Sequence, residues 1–344
     1  MNDKVEIALN NTALALMADG KGLLAMDESS PTCNKRFALY DIPQTPEKRR
    51  DYRELLVTSP GLPQYISGVI LYEETVRQLT SKGKPFVDVT EHAGIVPGIK
   101  VDKGTIDLLN SPGEKITEGL HGLRARLIDF SSMGLRFAKW RAVFSIGEGI
   151  PTEECIEANT QLLARYAALC QEAGLVPIVE PEVLMEGNHS MDECFQVTER
   201  VLKSLFYALY KQRVLLEGVI LKPNMVLPGL DCPDQHSVAE TAAASVKCLL
   251  RCVPAAVPGI AFLSGGQDGE LATERLNQMN LKYGSELPWP LTFSFSRAIQ
   301  LPVLERWKGK PENTTEAQEI LLYKAKCNSL ARKGEYAMDP AIID

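Results

Sequence analysis

The sequence predicts a single (β/α)8 barrel spanning the whole chain, 1–344, with an additional helical segment near its C-terminus and a short tail from about residue 335. Three observations predict it. Short apolar, β-rich runs alternate with longer segments of helical period, the signature of repeated βα units on a parallel sheet. The runs recur at intervals of roughly 30–45 residues, enough for a strand, a helix and two joints. No Gly-x-Gly-x-x-Gly follows the first run, where an open dinucleotide-binding sheet would carry it.

The strands are expected, in order, at Gly22–Asp27, Tyr65–Leu71, Val96–Lys100, Trp140–Ser145, Val176–Glu180, Gly218–Lys222, Gly259–Ser264 and Leu291–Ser296. One helix shows how the joints are built. Pro151, Thr152, Glu153 and Glu154 supply a cap, an early proline and acidic residues suited to a helix N-terminus. Ile156, Leu163, Tyr166, Ala167 and Cys170 follow at helical steps, and Gly174 stops the run just before Val176 begins the next strand. Asn110–Gly122 reads as a loop inside one βα unit, and Thr314 to Arg332 as the extra helix.

Composition narrows the function classes. Apolar residues make up 45% and charged residues 24%, so neither disorder nor fibre fits. Lys+Arg 37 against Asp+Glu 44 leaves a net charge of −7, which speaks against broad nucleic-acid or anionic-membrane binding. The uncharged run from Cys252 to Gln267 is too short for a membrane span and is broken by Pro254 and Pro258. The N-terminal MNDKVEIALNN has neither the basic nor the apolar region of a signal peptide, so the expectation is a cytoplasmic protein or the mature form of a plastid one. The eight cysteines read as reduced, small apolar residues. Cys248 and Cys252 lie one helical turn apart, without a second pair to complete a zinc spacing. His92, His121, His189 and His236 show no ligand spacing and read mostly as surface or capping residues; a metal-centred mechanism is not expected. Ser/His/Asp hydrolysis lacks its Gly-x-Ser-x-Gly.

In a barrel, side chains at the C-terminal ends of the strands face the active-site mouth. Asp27, Glu28, Lys100, Lys139, Arg141, Glu180, Glu182, Lys222 and Arg297 all fall at or near such positions. Lys222 ends the apolar run Gly-Val-Ile-Leu and precedes Pro223. Alone it reads as a strand-end lysine reaching into solvent. A lysine in a dry pocket beside another cation, for which Lys139 is the candidate, has a second use. Only about one ordinary lysine in 2,500 is neutral at pH 7, whereas a lysine tuned to about 7–8 attacks carbonyls. Glu180 and Glu182 sit at alternate strand positions, so both point to the same side and are suited to moving protons. Ser264-Gly265-Gly266-Gln267 leaves the seventh strand, a frequent phosphate position in barrels, and Arg297 follows the eighth as a countercharge.

Taken together, GKGLLAMDES, GVILYEET, VPGIKVDKG, FAKWRAVFSI, VPIVEPEV, VILKPNMV, FLSGGQ and LTFSFSRAIQ resemble the class I fructose-bisphosphate aldolases, from about residue 10 to 336. The resemblance implies metal-independent, cofactor-free cleavage of fructose 1,6-bisphosphate through a lysine imine. It implies Lys222 as the imine-forming lysine, Glu180 as the acid/base that dehydrates the carbinolamine, and Asp27 as manager of the C4 hydroxyl proton. Lys139 becomes the second lysine, and Glu182 a support for the lysines nearby. Ser264, Gly265, Gly266 and Arg297 are implied at the ketose C1 phosphate, and Ser29, Lys100 and Arg141 at the opposite one. A homotetramer acting on phosphorylated sugars, without nucleic-acid or membrane partners, is the corresponding assembly. An aldolase preferring sedoheptulose 1,7-bisphosphate and a non-catalytic barrel scaffold are the alternatives; comparative kcat/KM and simple turnover separate them.

The chain departs from the family pattern in three places. Ser30-Pro31-Thr32 stands where Thr-Gly-Ser is usual, so Thr32 replaces a phosphate-binding serine on a segment that Pro31 stiffens as a loop. Phe295-Ser296 stands where Tyr-Gly precedes the arginine. Many members end in a terminal tyrosine that assists proton exchange at C3, whereas Tyr336 here lies within YAMDPAIID.

Overall fold

The computed structural model describes residues 3–337. Eight strands close into a parallel barrel: β1 (Gly22–Ala25), β2 (Ile66–Leu71), β3 (Val96–Lys100), β6 (Phe137–Phe144), β7 (Val176–Val183), β8 (Ile220–Leu221), β9 (Ile260–Phe262) and β10 (Leu291–Phe295). β10 lies beside β1 and so completes the ring. The expected barrel and the C-terminal helix, Thr314–Lys333, are both present.

The differences lie at strand ends, and each has a local cause. β6 begins three residues before the expected Trp140, which carries Lys139 inside the strand opposite Lys100 and Ile178. β7 continues three residues beyond Glu180, still paired with β6 across Glu180, Pro181 and Glu182. β8 is reduced to two residues, because Leu216–Gly218 forms a 3-10 turn on one side and Pro223 follows Lys222 on the other. The Lys222 N–H still donates to Val179 O at 2.9 Å, so this side chain is held in register although it lies past the strand.

Two segments were not expected. Asn110–Gly122 is not only loop: β5 (Lys115–Thr117) pairs antiparallel with β4 (Thr105–Asp107), placing Ile106 opposite Ile116. Strands of three residues outside the main sheet are too short to show a period of two. The N-terminal helix Asp3–Leu16 places Leu9, Ala13 and Leu16 among Leu23, Ile70, Phe137, Val176, Ile178 and Ile220, the side chains that fill the barrel interior. Phe137 fixes the floor. A Cβ on Gly98 would fall 2.3 Å from its ring, so only glycine fits beside it. With that floor packed, the open mouth lies at the C-terminal ends of the strands.

The helices lie outside the ring and bury a second layer, including Trp140, Tyr166 and Phe262. Helix Glu153–Glu172 follows expectation: Thr152 Oγ1 accepts from Cys155 N at 3.1 Å, the five apolar positions are buried, and Gly174 has φ +74°. All eight cysteines are unpaired thiols, six of them buried. Of the histidines, His92 and His121 are exposed and His236 is half-buried, but His189 departs from the surface reading. It is buried with neither ring nitrogen hydrogen-bonded, because the segments after β7 and β8 close over it; Gly229 N donates to His189 O at 2.8 Å. No helix among the described residues is long and apolar enough to cross a membrane.

Candidate active site

The mouth opens into a cavity of about 710 Å³. Every residue proposed for the site from sequence lines it except Gly266, whose neighbour Gly265 does. At its centre four charged side chains form one line. Asp27 follows β1, Lys139 lies on β6, Glu180 on β7, and Lys222 follows β8. Lys139 Nζ lies 2.7 Å from Asp27 Oδ2 and 2.9 Å from Glu180 Oε2, and Lys222 Nζ lies 2.9 Å from Glu180 Oε1. The Lys139–Glu180 contact is an ion pair without hydrogen-bond alignment, so Oε2 is left without a hydrogen-bond partner. Charges alternate along the line, which offsets the cost of burying all four.

Their titration follows from this order. Burial pushes the Asp27 carboxyl up, but the ammonium groups of Lys139 and Lys222 outweigh it and hold Asp27 well below the usual range. Burial raises Glu180 too, and the same two lysines bring it down. Burial lowers Lys139, whereas Asp27 and Glu180 lift it above the ordinary lysine value. At neutral pH Asp27 and Glu180 are therefore bases and Lys139 an acid. Glu180, with one oxygen on each lysine, is placed to pass a proton between them.

Glu180 and Glu182 do face the same side, but their partners differ. Glu182 pairs with Arg141, and no ion pair joins it to one of the lysines it was expected to support among the described residues. Arg141 lies two residues beyond Lys139 on β6, so both side chains face the cavity, with Trp140 between them turned outward. Lys100 Nζ reaches the carboxylate and carbonyl of Asp102, the latter at 2.9 Å. Ser29 caps the helix Ser30–Ala38, its Oγ lying 3.0 Å from Thr32 Oγ1. The Ser-Pro-Thr departure is thus the first turn of a helix, where proline is favourable, and not a stiffened loop.

On the other side of the mouth, Gly265 and Gly266 have φ of +63° and +99°, and Gln267 N closes the turn onto Ser264 O at 3.0 Å. A Cβ on Gly266 would meet the Arg297 guanidinium at 3.0 Å, so the glycine loop and Arg297 lie face to face. Arg297 has no ion-pair partner among the described residues, unlike Arg141 and Lys100.

Sequence reasoning missed a second buried network along this wall. Glu28 binds Arg36 and Arg53, accepts from Ser296 Oγ at 2.7 Å and lies 2.9 Å from Gln300 Nε2. Burial pushes its carboxyl up, yet Arg53 and Arg36 bring it down to about 2. Arg36, Arg53 and Gln300 sit inside helices, where isolated polar residues read as solvated faces.

Comparison with known proteins is consistent across the chain. Residues 8–342 match the model of the glycolytic, class-I fructose-bisphosphate aldolase family. The chain is 54% identical over 329 residues to a probable fructose-bisphosphate aldolase class 1 of Xanthomonas axonopodis pv. citri, covering 95% of this chain and 98% of that one. It is 52% identical over 320 residues to a cytosolic fructose-bisphosphate aldolase of Arabidopsis thaliana, covering 93% and 81%. The fold superposes with a TM-score of 0.97 on a fructose-bisphosphate aldolase from Plasmodium falciparum, solved with TRAP and a small molecule inhibitor, at 45% identity and 98% coverage of both chains.

Proposed function

The chain belongs to the class I fructose-bisphosphate aldolase family, and from that premise we propose how its own residues carry the reaction. The activity is the reversible cleavage of fructose 1,6-bisphosphate to dihydroxyacetone phosphate and glyceraldehyde 3-phosphate, in glycolysis, gluconeogenesis or the Calvin cycle. The family is metal-independent and works through a lysine Schiff base. The observation that carries the assignment is the unbroken line Asp27–Lys139–Glu180–Lys222 in one cavity.

Lys222 Nζ attacks the ketose C2 carbonyl as the neutral amine. Glu180, 2.9 Å from that nitrogen, first takes a proton from its resting ammonium. After attack the nitrogen passes a second proton to the alkoxide, and Glu180 returns the first to the resulting hydroxyl, which leaves as water and a protonated imine. The protonated imine then draws in the C3–C4 bond electrons while Asp27 accepts the C4 hydroxyl proton, releasing the aldehyde. Protonation of the enamine at C3 and hydrolysis free dihydroxyacetone phosphate and regenerate the amine. Lys139, held as an ammonium by Asp27 and Glu180, keeps both carboxylates charged and aimed.

Two separated anionic ends need two cationic sites. Ser264, Gly265, Gly266 and Arg297 take the ketose C1 phosphate; Ser29, Lys100 and Arg141 take the other, with Glu182 orienting Arg141. The chain, 1–344, acts as one barrel domain, within a cytoplasmic homotetramer whose mass light scattering measures. The tail from 338, including the last seven residues of YAMDPAIID, lies outside the described residues.

The test is borohydride reduction in the presence of dihydroxyacetone phosphate and EDTA, followed by peptide mapping. A stable adduct on Lys222 is expected. An adduct on another lysine overturns the site assignment, and no adduct on folded, ligand-bound protein leaves a barrel without imine chemistry.

A further inference from the structure

We infer that Ser296 is a positioning residue for the ketose-phosphate end of the cavity: its hydroxyl joins Glu28 and Arg36 in one hydrogen-bonded seam beside Arg297. The inference rests on the aldolase reading above and concerns how that site selects its substrate.

Ser296 directly follows β10 and opens the helix Arg297–Trp307, where a serine ordinarily caps the helix amides. It does not do so here. Its Oγ turns across the mouth and donates to Glu28 Oε1 at 2.7 Å. Both terminal nitrogens of Arg36 lie 3.3 Å from the same oxygen, and Gln300 Nε2 lies 3.1 Å from it. Gln300 Nε2 also reaches Ala25 O at 2.6 Å. The seam falls where the barrel closes, since β1 and β10 pair through only Leu23–Ser294 and Leu24–Phe295. Beyond those pairs, side chains continue what the backbone ladder leaves off.

The electrostatics explain what the hydroxyl adds. One Glu28 carboxylate serves two guanidinium groups, so a positive charge is left over at this wall of the cavity that Arg297 also lines. Arg53 is fully enclosed, whereas Arg36 lines the cavity. Glu28 alone would let the Arg36 fork pivot about its oxygen. A hydroxyl that accepts from Arg36 while donating to Glu28 sets the angle between them and keeps the surplus charge facing the cavity.

The condensation direction reads the two ends separately, because each substrate carries one phosphate. Ser296→Ala is expected to raise KM for dihydroxyacetone phosphate by about three- to tenfold, the net size of one ordinary hydrogen bond, since the hydroxyl acts through Arg36. KM for glyceraldehyde 3-phosphate and kcat stay within about twofold, and Ser296→Thr, which restores a hydroxyl, recovers most of the loss. Calorimetry with inorganic phosphate reads the same contact without turnover and should show affinity lowered by a similar factor. Equal rises in both KM values, unchanged phosphate affinity, or a lower dihydroxyacetone phosphate KM in Ser296→Gly would each overturn the inference. Borohydride adduct formation in the same wild-type preparation separates that result from failure of the aldolase reading itself.

Discussion

The two ends of the cavity proposed to hold the substrate's phosphates are built on opposite principles. At the Ser29–Lys100–Arg141 end, each cation is already engaged: Lys100 with Asp102 and Arg141 with Glu182. At the other end Arg297 has no ion-pair partner among the described residues and lies opposite two glycines in left-handed conformation, while Arg36, on the same cavity, shares one Glu28 carboxylate with Arg53. On the proposed assignment, a phosphate at the first end competes with resident carboxylates, whereas at the second it meets an arginine that no carboxylate among the described residues engages. Prepaired cations are held rigid at some cost in attraction. Free ones attract strongly and need a scaffold, which is what the Glu28 network supplies.

The largest predicted effect tests that scaffold. Glu28 is depressed from 4.5 to about 2, so its contribution to stability is fully present above pH 4.5 and is lost as pH falls towards about 2. Glu28→Gln should therefore cost about 3 kcal/mol at neutral pH by that shift. In denaturant titrations the gap from wild type should close between pH 4.5 and 2; a gap independent of pH would mean that Glu28 acts through packing alone. Next in size, Arg297→Ala should raise KM for dihydroxyacetone phosphate about 10–100-fold and leave that for glyceraldehyde 3-phosphate near wild type, as expected for losing a charged hydrogen-bond donor to phosphate. Parallel changes in both would erase the distinction between the ends. The smallest is Asp102→Asn, which releases Lys100. Initial rates should show KM for glyceraldehyde 3-phosphate falling by about two- to threefold, the scale of a partly exposed ion pair. A rise would show that Asp102 orients Lys100 and does not compete with the phosphate.

The charged line proposed to carry catalysis was legible because its residues violate their own strands. A charge closing an apolar run, as Lys222 does, or two glutamates at alternate positions, as Glu180 and Glu182 are, has no place in a barrel wall unless the wall opens onto something. The glycine pair at Gly265 and Gly266 was legible for a related reason, since the structure does use positive φ at both. Glu28, Arg36, Arg53 and Ser296 were not assembled from sequence. Arg53 is 25 positions from Glu28, and Ser296 is 268, and nothing local to any of them marks the others. His189, the buried exception among the four histidines, was not legible for the same reason, because its burial comes from a segment 40 residues later.

By itself, then, the sequence determined the alternation of elements, the strand on which each charged residue sits and the side of the strand it faces. Those properties are local: periodicity, capping and turn chemistry act over a few residues. Only the tertiary structure decided which charge meets which. It placed Glu180 between two lysines, gave Glu182 to Arg141 and left Arg297 without an ion-pair partner among the described residues. The pairing is set by closure of β10 onto β1 and by the packing of side chains such as Phe137 in the barrel, which fix strand register and so bring residues from distant parts of the chain within 3 Å of each other. Coulomb interactions at that range decide protonation states, and no local pattern encodes them.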